Sequence, residues 1–249
     1  MIAALALALI VAPPNAAPTA APQPTPLREV VYKVSALRKE SLAIGTYGGH
    51  VAASSGGGYG EPNPTSKNNA VLLEGTLTVD VIGIQDDVIK VRITEEFKDR
   101  PTPNSYDAYI APNGLVRFDT QDPSPIARYL LPLFGSKFAA SSTLANGDSW
   151  HVNLKTDAVD LQNTFTIAGQ DGALLLLNET ETIRLSSAQG MNYNVRGKLK
   201  YKPSLLVPIA GDIDERGNRN TMDTSDEATT TVHFERLSDT LDPVQPSTK

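Results

Sequence analysis

The sequence predicts an all-β protein: a single large antiparallel sheet that curls into a half-open barrel or a sandwich, with one short helix near residues 124–131. Three observations predict this fold. Apolar and polar residues alternate with a period of two through most of the chain after residue 27. Turn sequences such as Pro112-Asn113-Gly114 separate the alternating stretches at hairpin spacing. Residues that favour the start of a helix and residues that end one occur at the two ends of a single segment, residues 124–131. The hairpin spacing indicates one domain, residues 27–238, and a flexible tail, residues 239–249.

The first 26 residues have a composition of their own. Residues 1–12 are an uninterrupted run of apolar and small residues, and residues 13–26 are rich in Pro and Ala. Neither part carries a charged side chain. The apolar run is about half as long as a membrane-spanning helix must be, and it is typical of a secretory signal peptide followed by an extended linker. We therefore expect an exported protein, located in the periplasm, in the cell envelope or outside the cell.

The clearest hairpin spans residues 71–97. Its two strands alternate apolar and polar side chains around the turn Gln85-Asp86-Asp87, which predicts one buried face and one wet face. The apolar face comprises Val71, Leu73, Leu77, Val79, Val81, Ile89, Val91, Ile93 and Phe97.

The remaining strands follow the same rule. They are predicted at residues 106–110, 115–119, 150–155, 159–167, 173–185, 191–201, 205–209 and 229–237. The alternation that begins at Trp150 places that side chain inside and His151 in solvent. The outward residues Arg196, Lys198 and Lys200 form a basic stripe. It suits either a solvated strand face or contact with an anionic headgroup or glycan.

One helix is predicted between Ser124 and Leu131. Ser124 is a good N-cap, Pro125 suits the first helical position, and Pro132 ends the helix. The helix and the residues after it are densely apolar, with Ile126, Tyr129, Leu130, Leu131, Leu133, Phe134 and Phe138. Such a segment must bury itself. It either plugs the core or forms a lid over the concave side of the sheet.

Composition excludes several classes of function. The formal net charge of −6 argues against a nucleic-acid partner, because such proteins carry basic patches for phosphates. The chain has no cysteine, which excludes thiol catalysis and cysteine-bound metals. With three histidines in all, a multi-histidine metal centre is not expected, and we predict neither metal nor cofactor.

Two motifs resemble chemical sites but have other residues at positions that those sites require. Gly147-Asp148-Ser149 is similar to the motif of serine hydrolases, but Trp150 and His151 stand where the trypsin type has glycines. We predict a turn that leads into a strand, and no enzyme, because no nucleophile, base and orienting group share a recognisable spacing.

The second motif lies in the polar, acidic segment Gly211–Glu227. Like the Gly/Ser-rich segment Gly45–Pro64, it is predicted to be a long loop. Asp212 and Asp214 stand at the first and third positions of an EF-hand calcium loop, but Arg216 brings a positive charge to the fifth. We expect a solvated acidic loop.

One resemblance rests on the order of elements. The mid-chain helix with Leu130-Leu131-Pro132, followed by the strand start Gly147-Asp148-Ser149-Trp150, resembles exported bacterial β-proteins that are similar to the lipoprotein-carrier (LolA-like) half-barrel group. The resemblance spans residues 28–238. It implies an open barrel that binds an apolar ligand, and it transfers no catalytic residue.

Taken together, these observations predict an exported, non-enzymatic binding module for an apolar or amphiphilic, lipid-like ligand. The alternative is a structural or interaction β-domain of the cell envelope or surface. For the first function, a lipid or other apolar small molecule would be the partner. The candidate ligand-binding residues are Val91, Ile93, Tyr129, Leu130, Phe134, Trp150 and Phe165.

Overall fold

The computed structural model describes residues 25–44, 66–120, 123–134, 144–185, 192–220 and 224–242. The strands are β1 (Arg28–Ile44), β2 (Ser66–Gln85), β3 (Val88–Phe97), β4 (Asn104–Ile110), β5 (Val116–Phe118), β6 (Ser149–Lys155), β7 (Val159–Asp171), β8 (Leu174–Leu185), β9 (Asn192–Lys202), β10 (Val207–Asn220) and β11 (Thr224–Asp239). They form one antiparallel sheet in the order β5-β4-β3-β2-β1-β11-β10-β9-β8-β7-β6. The predicted all-β class is confirmed. No helix in the described ranges is long and apolar enough to cross a membrane.

Some predictions concern residues that lie outside these ranges. They are the signal peptide and most of the linker, the Gly45–Pro64 loop, Phe138 and the tail from residue 243.

The sheet consists of two meanders joined at its centre. β1 to β5 form one half and β6 to β11 the other, and β1 pairs with β11. Within the described residues no pairing joins the two outer strands β5 and β6, so the sheet is not closed. The sheet nevertheless curls so that its two ends approach each other. A Cβ at Gly114, in the turn before β5, would lie 3.1 Å from Val152 Cγ2 in β6. We call the gap between β5 and β6 the seam.

The alternation read from the sequence gives the sheet its two faces. In β6, Val152 is buried and Trp150 and Leu154 are partly buried, while His151 and its outward neighbours are exposed. Trp150 stacks on Phe165 with ring centroids 4.7 Å apart. The predicted orientation of these side chains is correct, but Trp150 is less buried than predicted.

The hairpin turn between β2 and β3 also follows the sequence. Asp86 and Asp87 form a two-residue turn with φ values of 50° and 64°. Two consecutive residues with positive φ match the right-handed twist of the strands that they join.

The predicted acidic loop Gly211–Glu227 is wrong. β10 continues to Asn220 and β11 begins at Thr224, and the two strands pair along this stretch. Asp212 and Asp214 point to solvent, whereas Ile213 and Glu215, which alternate with them, are buried. Inward and outward residues do alternate along β10, but the pattern is hard to recognise in the sequence. The reason is that Glu215 occupies an inward position where an apolar residue is expected.

The predicted helix is confirmed as α1 (Pro125–Leu130), which continues as a 3-10 turn (Leu131–Leu133). Ser124 caps it, its Oγ accepting a hydrogen bond from the Ala127 amide at 3.2 Å. We call residues 124–134 the plug segment, because it lies on the concave face against β1 and β11. Its fully buried residues are Ile126, Ala127, Leu130, Leu131 and Leu133. Of the two predicted roles, the structure therefore has the core plug.

Candidate functional site: a cleft at the seam

The seven predicted ligand-binding residues lie in the packed core. Val91, Ile93, Leu130 and Phe165 have no solvent exposure, Tyr129 and Phe134 are 2% exposed, and Trp150 is partly buried. Tyr129 alone among them lines either of the two clefts that flank the plug segment. Contact between these residues and a ligand remains a prediction.

The plug segment divides the concave face into two clefts. The one on the β1–β3 side, which we call the Glu95 cleft, has a volume of about 340 Å³. The other, of about 210 Å³, lies at the seam and is called the seam cleft. Its lining residues are Gly114, Leu115, Val116, Phe118, Arg128, Tyr129, Pro132, Val152, Leu154, Leu161, Asn163, Glu181 and Ile183.

A row of polar residues crosses the concave face under the plug segment. Strand register places Thr230 opposite Glu215. Val195 lies opposite both Glu215 and Glu181, and Glu181 lies opposite Asn163. Glu95, Glu179, Glu181 and Glu215 are all buried. The interior of this sheet therefore contains a carboxylate layer as well as an apolar core.

Glu215 fastens the plug segment to the sheet. Its carboxylate accepts hydrogen bonds from the Tyr129 hydroxyl and from Thr230 Oγ1, the latter at 2.8 Å. Arg128 Nη2 lies 3.4 Å from the same carboxylate. Burial, followed by the charge of Glu215, raises the pKa of Tyr129, so its hydroxyl remains a donor. Donors from two elements satisfy this carboxylate, as a buried charge requires.

Glu179 and Glu181, on β8, are satisfied less well. Glu179 accepts a hydrogen bond from Asn163 Nδ2 at 2.7 Å, but its Oε2 has no partner among the described residues. Glu181 is 8% exposed, and no described residue donates a hydrogen bond to it. Burial raises the pKa of Glu179 to about 8, with a further contribution from Glu181. Burial likewise raises the pKa of Glu181 to about 7, although Arg128 opposes the shift.

A glycine makes room for this pair. Gly197, on β9, lies opposite Glu179 and Ile213. A Cβ at this position would lie 2.9 Å from Glu179 Oε2 and 3.1 Å from Glu179 Cβ. The absence of a side chain at Gly197 is therefore what allows the Glu179 carboxylate to fold back over β9.

Glu95 is the corresponding residue in the Glu95 cleft, and it is well satisfied. It accepts hydrogen bonds from the Tyr106 hydroxyl at 2.8 Å and from Asn104 Nδ2 at 3.4 Å. Arg38 and Arg100 line the same cleft. Burial, then the charge of Glu95, raises the pKa of Tyr106, which keeps that hydroxyl protonated as a donor.

The outer face of the sheet contains a row that resembles a catalytic triad. His233 Nδ1 lies 2.8 Å from Asp212 Oδ1, and Ser35 stands opposite His233 on β1. Ser35 makes no side-chain hydrogen bond within the described residues, and the histidine and aspartate are largely exposed. A nucleophilic serine needs a hydrogen bond to its base. The row therefore does not form a nucleophile.

The other motifs occupy ordinary positions. Gly147, with φ of 94°, forms the turn before β6, and Ser149 is exposed at the start of the strand. In the described part of the chain, no group of three or more acidic or histidine side chains is placed to hold a metal ion. Opposite the basic stripe stand acidic residues of β10, with Arg196 facing Asp214 and Lys198 facing Asp212. Opposite charges on neighbouring strands favour a solvated face over a headgroup site.

Comparison with known proteins leaves the family open. No family model and no curated protein matches the chain. One solved structure that matches is Ail, the attachment invasion locus protein of Yersinia pestis, with 8% identity, a TM-score of 0.20, and coverage of 84% of this chain and 99% of that chain. A TM-score this low does not establish a shared fold, so the match carries no information on function. The expected resemblance to the lipoprotein-carrier (LolA-like) group is wrong, since no family model and no curated protein of that group matches the chain.

Sequence reasoning missed the carboxylate layer. The alternation that places Ile93 and Phe97 inside also places Glu95 inside, because all three have the same parity along β3. The same argument applies to Glu179 and Glu181, which share the parity of the buried Leu175 and Leu177 on β8. Parity along the strand was the signal that could have found them.

Proposed function

We propose that this protein is an exported, non-enzymatic structural or interaction β-domain of the cell envelope or cell surface. The observation that carries this proposal is the plug segment, which fills the centre of the concave face and leaves only a cleft on each side. A lipid carrier of this shape needs an accessible cavity there, and the plug segment occupies that space with side chains that have no solvent exposure. Exposing one such large apolar side chain costs about 1.5–3 kcal/mol. Opening the segment as a lid would expose several of them and break its contacts with Glu215.

The outer surface supports an interaction role. The outward faces of β9 to β11 carry polar and charged side chains of both signs. β6 is an edge strand of seven residues, and its outer side pairs with no described strand. Such an edge is where another extended chain can add to a sheet. Export itself is supported by the apolar run at residues 1–12 and the Pro/Ala tract that follows it.

Two measurements test the proposal. The first is mass spectrometry of the native protein after cell fractionation. We expect a chain that begins between residues 13 and 27 in an exported or envelope fraction; an intact Met1 in the cytoplasm would contradict it. The second is titration of the folded protein with a fluorescent fatty acid. We expect no saturable binding, whereas tight binding that disappears in Leu130→Asp would restore the carrier function.

A further inference from the structure

The seam cleft has the chemistry of a binding site for a small amphiphile. Its wall is apolar, formed by side chains such as Val116, Phe118, Leu154 and Ile183 from both sides of the seam. Its polar side chains cluster together, at what we call the polar end: Asn163 lies opposite Glu181, and Arg128 and Tyr129 of the plug segment lie near Glu181. A ligand that matches this cleft has a short apolar chain and one polar head.

At the polar end of the cleft, two acceptors lack donors among the described residues, and one buried donor, Arg128 Nε, lacks an acceptor there. Asn163, 4% exposed, has its Oδ1 buried without a hydrogen-bond partner among the described residues. Glu181 beside it accepts no hydrogen bond from them either. Leaving a buried acceptor without a donor costs free energy, and the cost is greater when the acceptor is charged. The two acceptors outnumber that donor, so a head that matches this end of the cleft donates hydrogen bonds.

The charges around the cleft define the head further. Three acidic side chains, those of Glu179, Glu181 and Glu215, lie near one guanidinium among the described residues, that of Arg128, which is already placed on Glu215. Burial keeps Glu179 and Glu181 partly protonated near pH 7, so the net charge there is negative but smaller than three carboxylates would give. An anionic head would add to an excess of negative charge, while a cationic head would offset it. The Glu95 cleft does not favour a cationic head in this way, because its carboxylate already has two donors and two arginines line the cleft.

We propose that the seam cleft binds an alkylammonium group, that is, a protonated primary amine on an unbranched apolar chain. The ammonium donates to Glu181 and Asn163, and the chain lies along the apolar wall at the seam. The group enters between β5 and β6, so the plug segment stays in place. This inference goes beyond the proposed function and holds wherever the protein is located. The same chemistry is available from a free amine or from a lysine side chain of a partner.

Ligand binding and proton binding are linked at this site. The charged and titratable groups that face Glu181 are Arg128 and Tyr129 from α1, Glu215 from β10 and Glu179 from its own strand. Burial keeps Glu181 partly protonated near neutral pH. An ammonium beside it favours the charged form, so binding at pH 7 releases part of a proton.

The test is calorimetric titration of the full chain with n-hexylamine, which stays protonated at pH 7. We expect saturable binding of hexylamine, and binding of 1-hexanol and hexanoate that is at least about tenfold weaker, because neither of them offers a charged donor. Glu181→Gln should weaken hexylamine binding by about tenfold or more. Glu95→Gln, a matched buried glutamate in the other cleft, should leave it unchanged. Equal affinity for hexanol, or equal loss in both variants, would overturn the proposal.

A second measurement needs no variant. Titrations of the unaltered protein in two buffers of different ionisation enthalpy should show proton release on hexylamine binding, and no release would overturn the proposal. An acetylated tripeptide with a central lysine, against the same peptide with norleucine, separates the two sources. Binding of either hexylamine or the lysine peptide supports an ammonium site and identifies its source, and binding of neither overturns it.

Discussion

The two flanks of the plug segment bury the same kind of side chain in different surroundings. Glu95, on β3, accepts two hydrogen bonds from β4. On β8, Glu179 accepts one hydrogen bond and Glu181 accepts none from the described residues. A buried carboxylate stabilises a fold only when its donors are present. The β3–β4 flank is therefore a complete packing unit, whereas the β7–β8 flank retains unused acceptors beside a cleft, which is the pattern expected of a binding surface.

The largest predicted effect concerns the plug segment, which both flanks share. Leu130→Ala should lower the free energy of unfolding by about 2–5 kcal/mol, because it removes a side chain with no solvent exposure and leaves a cavity. Leu237→Ala, at a half-exposed leucine on β11, is the control and should change stability by less than about 0.5 kcal/mol. Urea unfolding measures both. Similar small effects would mean that the plug segment is a loosely held lid.

The next effect is the dependence of stability on pH. Glu179 and Glu181 have pKa values of about 8 and 7 in the folded protein, above the ordinary value of 4.5. Between about pH 4.5 and 8 the folded state therefore holds protons that the unfolded state has lost, so stability falls as pH rises through this window. The loss should be on the order of a few kcal/mol. Glu179→Gln should flatten the profile when it is measured by urea unfolding at pH 5, 7 and 9.

Asp239 has a lowered pKa, so it affects stability in a different pH range. Burial opposes the ionisation of Asp239, but hydrogen bonds from Arg28 and the Leu241 amide outweigh it and lower its pKa. Its contribution is present above the unfolded value near 3.8 and is lost as pH falls further. A profile that rises between pH 5 and 8 would therefore contradict the assignment of buried, poorly satisfied glutamates on β8.

The β3–β4 flank is tested by removing one of the two donors to Glu95. Tyr106→Phe deletes the hydroxyl that donates to Glu95, and should destabilise the protein by about 1.5–3 kcal/mol. Tyr109→Phe, on the outward side of the same strand, is the control and should be nearly neutral. Thermal unfolding of both variants at pH 7 is sufficient. If Tyr106→Phe is neutral, the two flanks do not differ in the way described.

The smallest predicted effect concerns the space around Glu179. Gly197→Ala should destabilise by about 1–3 kcal/mol, because the added methyl crowds Glu179 and Ile213 in a packed interior. Gly83→Ala adds the same methyl where no atom lies within 4 Å, and should be neutral. Denaturant midpoints compare the two directly. Equal midpoints would show that Glu179 moves aside without cost.

Much of the fold could be predicted because alternation is a local signal. The strand at Trp150 and His151 and the helix capped by Ser124 follow from neighbouring residues alone. The sequence predicts a loop at Gly211–Glu227 because the inward positions of this segment include Glu215, and no pattern of apolar residues marks a strand with a polar interior.

The candidate site was less predictable, for a physical reason. The seam cleft combines residues from α1, β7 and β8, such as Arg128, Asn163 and Glu181, and register across several strands decides which of them meet. The sequence indicates the parity of each residue along its strand. It does not indicate which inward carboxylate finds a donor, and that difference separates the two flanks.

The central claim is that Glu179 and Glu181 are buried carboxyl groups with too few donors: Glu179 has one and Glu181 has none among the described residues. The most direct measurement is a pH titration of the side-chain carboxyl carbons by 13C NMR in the folded protein, with Glu179→Gln and Glu181→Gln used to assign the signals. Two glutamate signals should titrate with midpoints of about 8 and about 7. If both signals titrate near 4.5 in the folded protein, the two carboxylates are solvated or fully satisfied, and the distinction between the flanks is lost.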